Sequence, residues 1–134
     1  MRALFDIGPM VRKYSLLPAD RVRLIQDIAD FQLAGVRLGI VIIFAAWSGQ
    51  AVLALQKLTR FLIGRDQSID LFVVDIESMT TQEMKQWFGR EFYGHGETQW
   101  IRDGKVVASL EAYTYETEAL LLTYFKRLLD ERTP

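Results

Sequence analysis

The feature that most constrains this chain is an unbroken apolar run from Ile40 to Phe44, followed closely by the pattern of an amphipathic helix. The run contains only β-branched and aromatic residues, which is typical of a strand covered on both faces. The period then changes to that of one helical face, with apolar residues at Ala51, Leu55, Leu58 and Leu62. These patterns predict a buried strand, a tight turn and a helix, an arrangement in which α/β proteins commonly build sites.

The turn between this strand and this helix carries a resemblance to a known family. A buried strand that ends in Phe-Ala-Ala-Trp resembles the active-site region of thioredoxin, where the sequence continues Trp-Cys-Gly-Pro-Cys. Trp47 and Gly49 match that pattern. The family's cysteine, proline and cysteine are replaced by Ser48, Gln50 and Ala51. Since the chain has no cysteine at all, the resemblance implies the fold without the redox chemistry.

The segment before the central strand predicts one helix. Pro18 and Asp20 are typical of a helix start, and an apolar stripe follows them. The stripe consists of Leu24, Ile25, Ile28 and Phe31. Further upstream, residues 3–7 predict a short edge strand, so residues 1–17 are expected to be either an N-terminal extension or an edge strand.

The segment after the helix predicts the remaining elements. A second strand is expected at 69–76, parallel to the first because a single helix separates them, and a capping-box pattern predicts a short helix after it. Asp103-Gly104 is typical of a two-residue turn and predicts an antiparallel hairpin over 98–113. Thr114 is expected to cap a final helix.

This order of elements resembles that of thioredoxin over residues 20–130. The resemblance therefore implies a thioredoxin-like three-layer α/β/α sandwich with a mixed central sheet. The length of 134 residues suits one domain, 1–134, that can bury a sizeable core. By the resemblance, the family's cis-proline falls at Gly96, or within the Gly94–Thr98 loop if a gap is allowed, and this chain has no proline there.

Charge and hydropathy limit the classes of partner. The formal net charge is -1, so no overall field favours nucleic acid or an anionic membrane. The longest apolar run, Leu38 to Trp47, is too short to span a bilayer. No signal-peptide core precedes Gly8-Pro9, and a cytoplasmic protein is the expectation.

Ser48 and His95 are weak candidates for catalysis. Ser48 opens the predicted helix, and the chain's one histidine lies in a loop that the resemblance places beside it. A Ser–His dyad with backbone amides as oxyanion donors is one reading; a capping serine and an exposed loop histidine are the more common one. The acidic residues Asp66, Asp70, Asp75 and Glu77 suggest a magnesium site only weakly. The pattern indicates no metal site and no cofactor.

The preferred hypothesis is a redox-inactive, thioredoxin-like protein-binding module, of the kind found in accessory proteins and assembly chaperones. The family holds extended peptides between two loops, and that mode of binding needs no thiol. The expected partner-binding residues are Trp47, Ser48, Gly49, Gln50, Tyr93, His95, Gly96 and Glu97.

Two alternatives remain open at this point. One is a small enzyme of the glutathione-using or hydrolytic kind, with Ser48 as its polar active-site group. The other is a subunit of an oligomer, such as a homodimer, held through apolar surface on residues 1–17.

Overall fold

The computed structural model describes residues 5–65, 68–114 and 116–130. The helices and strands in these ranges are, in chain order, α1 (Gly8–Tyr14), β1 (Val22–Ile25), β2 (Leu38–Phe44), α2 (Gly49–Leu62), β3 (Asp70–Asp75), α3 (Thr81–Phe88), β4 (Thr98–Arg102), β5 (Lys105–Leu110) and α4 (Thr117–Leu129). Short 3-10 turns lie at Ala19–Arg21, Ile28–Asp30, Leu33–Gly35 and Ile76–Ser78.

The sheet has the order β1-β3-β2-β4-β5, so β2 lies at its centre. β2 is parallel to β3 and antiparallel to β4, and every residue of β2 is buried. The unbroken apolar run therefore indicated its position correctly, because only a strand covered on both faces tolerates such a sequence. The prediction of a central strand parallel to the next strand is confirmed.

The predicted hairpin is also confirmed. β4 and β5 pair in antiparallel fashion, with an irregularity between Trp100 and Ile101. Asp103 and Gly104 both have positive φ, 50° and 76°, as a type I′ turn requires. Their amides donate to the carbonyls of Arg37 and Val36, each at 2.8 Å, and so tie the turn to the start of β2.

Helices and turns cover both faces of the sheet, which completes the predicted three-layer α/β/α arrangement. α2 contacts α1 and α4 on one side. On the other side the ring of Phe31 packs against Phe72 of β3 and stacks on Phe88 of α3. None of the helices in the described ranges has the length and apolar character needed to cross a membrane.

The prediction of a helix after Pro18 is wrong. The segment forms strand β1, which pairs in parallel with β3, and then two 3-10 turns. The apolar spacing at Leu24, Ile25, Ile28 and Phe31 fits a helical face, but Val22 to Ile25 gain their hydrogen bonds from a strand far away in sequence. Tertiary pairing thus overrides the local period.

The two chain ends also differ from expectation. Residues 5–7 form no strand, and the chain continues into α1, with Pro9 in its first turn; residues 3 and 4 lie outside the described ranges. Ile7 and Val11 are buried in the core. At the other end the N-cap of α4 is Glu116 and not Thr114, whose hydroxyl accepts a hydrogen bond from the Glu116 amide at 3.2 Å.

Candidate binding site at the start of α2

Ser48 ends the turn after β2 and caps α2. Its amide donates to the carbonyl of Ala45 at 3.1 Å, and its hydroxyl accepts a hydrogen bond from the amide of Ala51 at 3.3 Å. A serine in this position satisfies one of the helix's first amides, which have no acceptor within the helix. The Ser48 hydroxyl therefore caps the helix, which is the more common of the two roles that the sequence analysis considered for it.

Trp47, just before the cap, is exposed and yet fixed in place. Its side chain is 64% exposed. The indole Nε1 donates a hydrogen bond to Oε1 of Glu77 at 2.9 Å. The ring also lies on Gly94, where an added Cβ would be 2.4 Å from the ring carbon Cη2. The indole thus presents apolar surface to solvent in an ordered orientation.

The loop at residues 94–97, just before β4, packs against the start of α2 at Gly96. The φ of Gly96 is +76°, and a Cβ there would be 2.3 Å from Cβ of Ala54. Only a glycine accepts both this conformation and this close approach without strain. No cis peptide bond occurs in the described residues, so the loop in which the resemblance placed the family's cis-proline has only trans peptide bonds.

Glu97 supports this loop from inside the protein. It is 1% exposed, and its carboxylate accepts hydrogen bonds from the amides of Tyr93 at 2.6 Å and His95 at 2.9 Å. Its carbonyl accepts the amide of Ile43 in β2 at 2.9 Å. Two charge-assisted bonds offset part of the free energy of burying the carboxylate. Glu97 therefore holds the loop in shape from inside the protein, and its side chain is buried.

Tyr93 and His95 are exposed on the same loop. Tyr93 is 61% exposed, and the centroids of the two rings lie 6.4 Å apart. The Tyr93 hydroxyl donates to Glu91 at 3.2 Å. The ammonium of Lys85 and, to a smaller extent, this hydroxyl lower the pKa of Glu91.

The structure does not link the two weak catalytic candidates. Within the described ranges no hydrogen bond joins the Ser48 hydroxyl to the ring of His95. Nor do any three histidine, aspartate or glutamate side chains in these ranges lie close enough together to hold a metal ion. Asp70 pairs instead with Arg23 at 3.3 Å, while Asp66 lies outside the described residues.

Asp75 and Glu77 have functions that the sequence did not reveal. Asp75 is the partner of Phe44 in the sheet, and its Oδ1 accepts the amide of Glu77 at 2.9 Å. Its Oδ2 is buried and has no hydrogen-bond partner. Burial raises the pKa of Asp75, and the nearby charge of Glu77 adds to this effect, while the bond from the Glu77 amide opposes it. Glu77, thirty residues after Trp47 in the chain, accepts the hydrogen bond that holds the Trp47 indole in place.

Comparison with known proteins identifies the fold. No protein-family model and no curated protein matches the chain. Among solved structures, thioredoxin O2 from Arabidopsis thaliana is 16% identical with a TM-score of 0.64, covering 81% of this chain and 94% of that one. Thioredoxin from Fasciola hepatica is 20% identical with a TM-score of 0.59, covering 78% and 97%.

A third similar structure is the complex of ferredoxin:thioredoxin reductase with thioredoxin f2, at 17% identity and a TM-score of 0.60 over 79% of this chain and 96% of the matched one. All these identities are low, so the likeness concerns the fold and not the activity. The strand order, the central β2 and the cap at Ser48 agree with it. The chain has a thioredoxin-like α/β fold, and it contains no cysteine.

Proposed function

We propose that this protein is a redox-inactive binding module that holds an extended segment of another protein against the start of α2. The observation that carries the proposal is Trp47, which is 64% exposed although two contacts fix its orientation. An ordered, exposed aromatic side chain loses little conformational entropy on binding and is a typical anchor of protein interfaces.

The surroundings of Trp47 supply the other parts of such a site. Tyr93, on the facing loop, is a second exposed aromatic residue. Gly49 and Gln50 open α2, so their amides have no acceptor within the helix and suit the carbonyl or carboxylate of a bound segment. Ser48 borders this surface, and the exposed His95 lies on the loop that the buried Gly96 holds against α2.

The absence of cysteine excludes the dithiol exchange on which thioredoxin reduction depends. A partner would therefore be held and released without a covalent intermediate. Reversible holding of a protein segment fits an accessory or assembly role, and the complex of thioredoxin f2 with a reductase shows a thioredoxin in a structure with a protein partner.

The test compares two exposed aromatic residues of the site with an exposed apolar residue elsewhere. We expect Trp47→Ala and Tyr93→Ala each to weaken the partner's affinity about thirtyfold, equivalent to about 2 kcal/mol. Val106→Ala, in β5 and 40% exposed, serves as the control and should leave affinity unchanged. Partners captured from native cell extract on the wild-type protein are identified by mass spectrometry and titrated by calorimetry.

Thermal melts of all three variants separate binding from folding. If both aromatic variants stay folded and keep wild-type affinity, the interface lies elsewhere and the proposal is wrong. Substrate turnover that disappears in Ser48→Ala would instead support an enzyme with Ser48 as its active-site group.

A further inference from the structure

A groove of about 750 Å³ lies between α2 and the first half of α4. On α2 it begins at Lys57, nine residues after the cap at Ser48, and so roughly 13 Å along the helix from the candidate binding site. The groove is therefore a separate surface, and it does not depend on the proposed function.

Most of the charged residues that line this groove are cationic. Lys57, Arg60 and Arg65 contribute three positive charges and Glu118 one negative charge, although the whole chain has a formal net charge of -1. Such a local excess of positive charge favours an acidic ligand.

Two of the cations are held in place by the protein. The ammonium of Lys57 donates to the carbonyl of Thr114 at 2.8 Å. The Nε of Arg65 donates to the carbonyl of Phe61 at 2.7 Å, and the guanidinium lies 3.9 Å from the centroid of the Phe61 ring. A guanidinium ordered in this way loses less freedom when its other nitrogens bind a carboxylate.

The same groove exposes large apolar side chains. Ile63, directly after the last residue of α2, is 55% exposed. Leu122 in α4 is 38% exposed. A ligand that offers only negative charge leaves these side chains in water. A ligand that carries apolar side chains between its carboxylates covers them as well, which adds apolar burial to the charge pairing.

We propose that this groove docks an acidic segment of another protein, with carboxylates that meet the cations and an apolar side chain that covers Ile63 and Leu122. Nucleic acid is the weaker match because the aromatic ring in the groove, Phe61, is already covered by Arg65 and does not offer a free stacking face.

The probe is a fluorescein-labelled synthetic peptide of about twelve residues, composed of aspartate and glutamate with two leucines, titrated by fluorescence anisotropy. We expect Arg60→Glu to weaken its binding tenfold or more and Leu122→Ser severalfold, because each removes one of the two kinds of contact. Lys105→Glu makes the same change of charge on an exposed residue of β5, outside the groove, and should change binding far less. Thermal melts confirm that each variant is folded.

Three further probes distinguish the occupants. A peptide with serine in place of leucine should bind severalfold more weakly, and a lysine peptide should not bind. A single-stranded oligothymidylate that binds more tightly than the leucine-containing peptide would overturn the proposal in favour of nucleic acid. The proposal also fails if the acidic peptide does not bind the wild-type protein, or binds Arg60→Glu equally well. A dimer in sedimentation analysis that Arg60→Glu dissociates would reassign the groove to a second copy of this chain.

Discussion

Asp75 is a buried acidic residue that has a hydrogen-bond partner on only one of its two carboxylate oxygens. One carboxylate oxygen accepts the Glu77 amide, while the other is buried without a partner, so the charged form is disfavoured in the folded state. The folded-state pKa is raised above the ordinary value of 3.8. The folded protein therefore binds the proton more tightly than the unfolded chain does, and stability falls as the pH rises through the window above 3.8.

Asp75→Asn should therefore stabilise the protein at neutral pH. The amide oxygen can still accept the Glu77 amide, while the buried charge is removed, and we expect a gain of about 1 kcal/mol. The gain should disappear well below pH 3.8, where wild-type Asp75 is protonated in both states. Urea unfolding at a series of pH values measures it, with the exposed Asp30→Asn as the control. A gain that is the same at every pH would contradict this account of Asp75.

The buried Glu97 shows what could not be predicted at the scale of the residue. An acidic side chain that follows a glycine in a loop is usually solvated, and the sequence analysis predicted Glu97 to be a partner-binding residue. Its hydrogen bonds to the amides of Tyr93 and His95 arise only when the loop curls around it. Trp47 lies in the turn where the sequence predicted it, but neither its exposure nor its partner Glu77 could be identified, because the contact spans two separate elements.

At the scale of the element, the close approach of the Gly94–Gly96 loop to α2 can be tested by adding a single methyl group. Gly96 and Gly89 have nearly the same positive φ, +76° and +74°, but a Cβ at Gly89 would meet no atom within 4 Å. Gly89→Ala should lose about 1 kcal/mol of stability from the left-handed conformation alone. Gly96→Ala should lose clearly more, because its methyl group would also overlap Ala54.

The two variants are compared by chemical denaturation, and the difference between them isolates the steric part. Equal losses would show that the loop can move away from α2 without a penalty.

The elements that were predicted correctly are those whose sequence pattern is compatible with only one local structure. An entirely apolar strand must be central, and Asp103-Gly104 accepts the two positive φ values of a tight hairpin. The segment from Val22 to Phe31 has two solutions, because its apolar spacing fits either a helix or a short strand followed by turns. Pairing with β3 decides between them, and no local pattern reports a partner so distant in sequence.

At the scale of the whole molecule, a thioredoxin-like fold without cysteine should have no disulfide reductase activity. We expect insulin reduction by dithiothreitol to proceed at the same rate with and without the protein, because no thiolate is available to attack a disulfide. The turbidity of precipitating insulin B chain measures the rate, with an authentic thioredoxin as the positive control. Acceleration in proportion to the concentration of this protein would contradict the redox-inactive assignment.

The three tryptophans differ in burial, and once the half-buried Trp87 is replaced by phenylalanine the other two make the molecule its own optical reporter. Trp100 is 1% exposed in the core, whereas Trp47 is 64% exposed at the candidate binding site. A water-soluble quencher such as acrylamide can therefore reach the indole of Trp47 and not that of Trp100. An occupant that covers Trp47 should reduce the quenchable fraction of the emission, so binding at this site can be followed in the unlabelled protein.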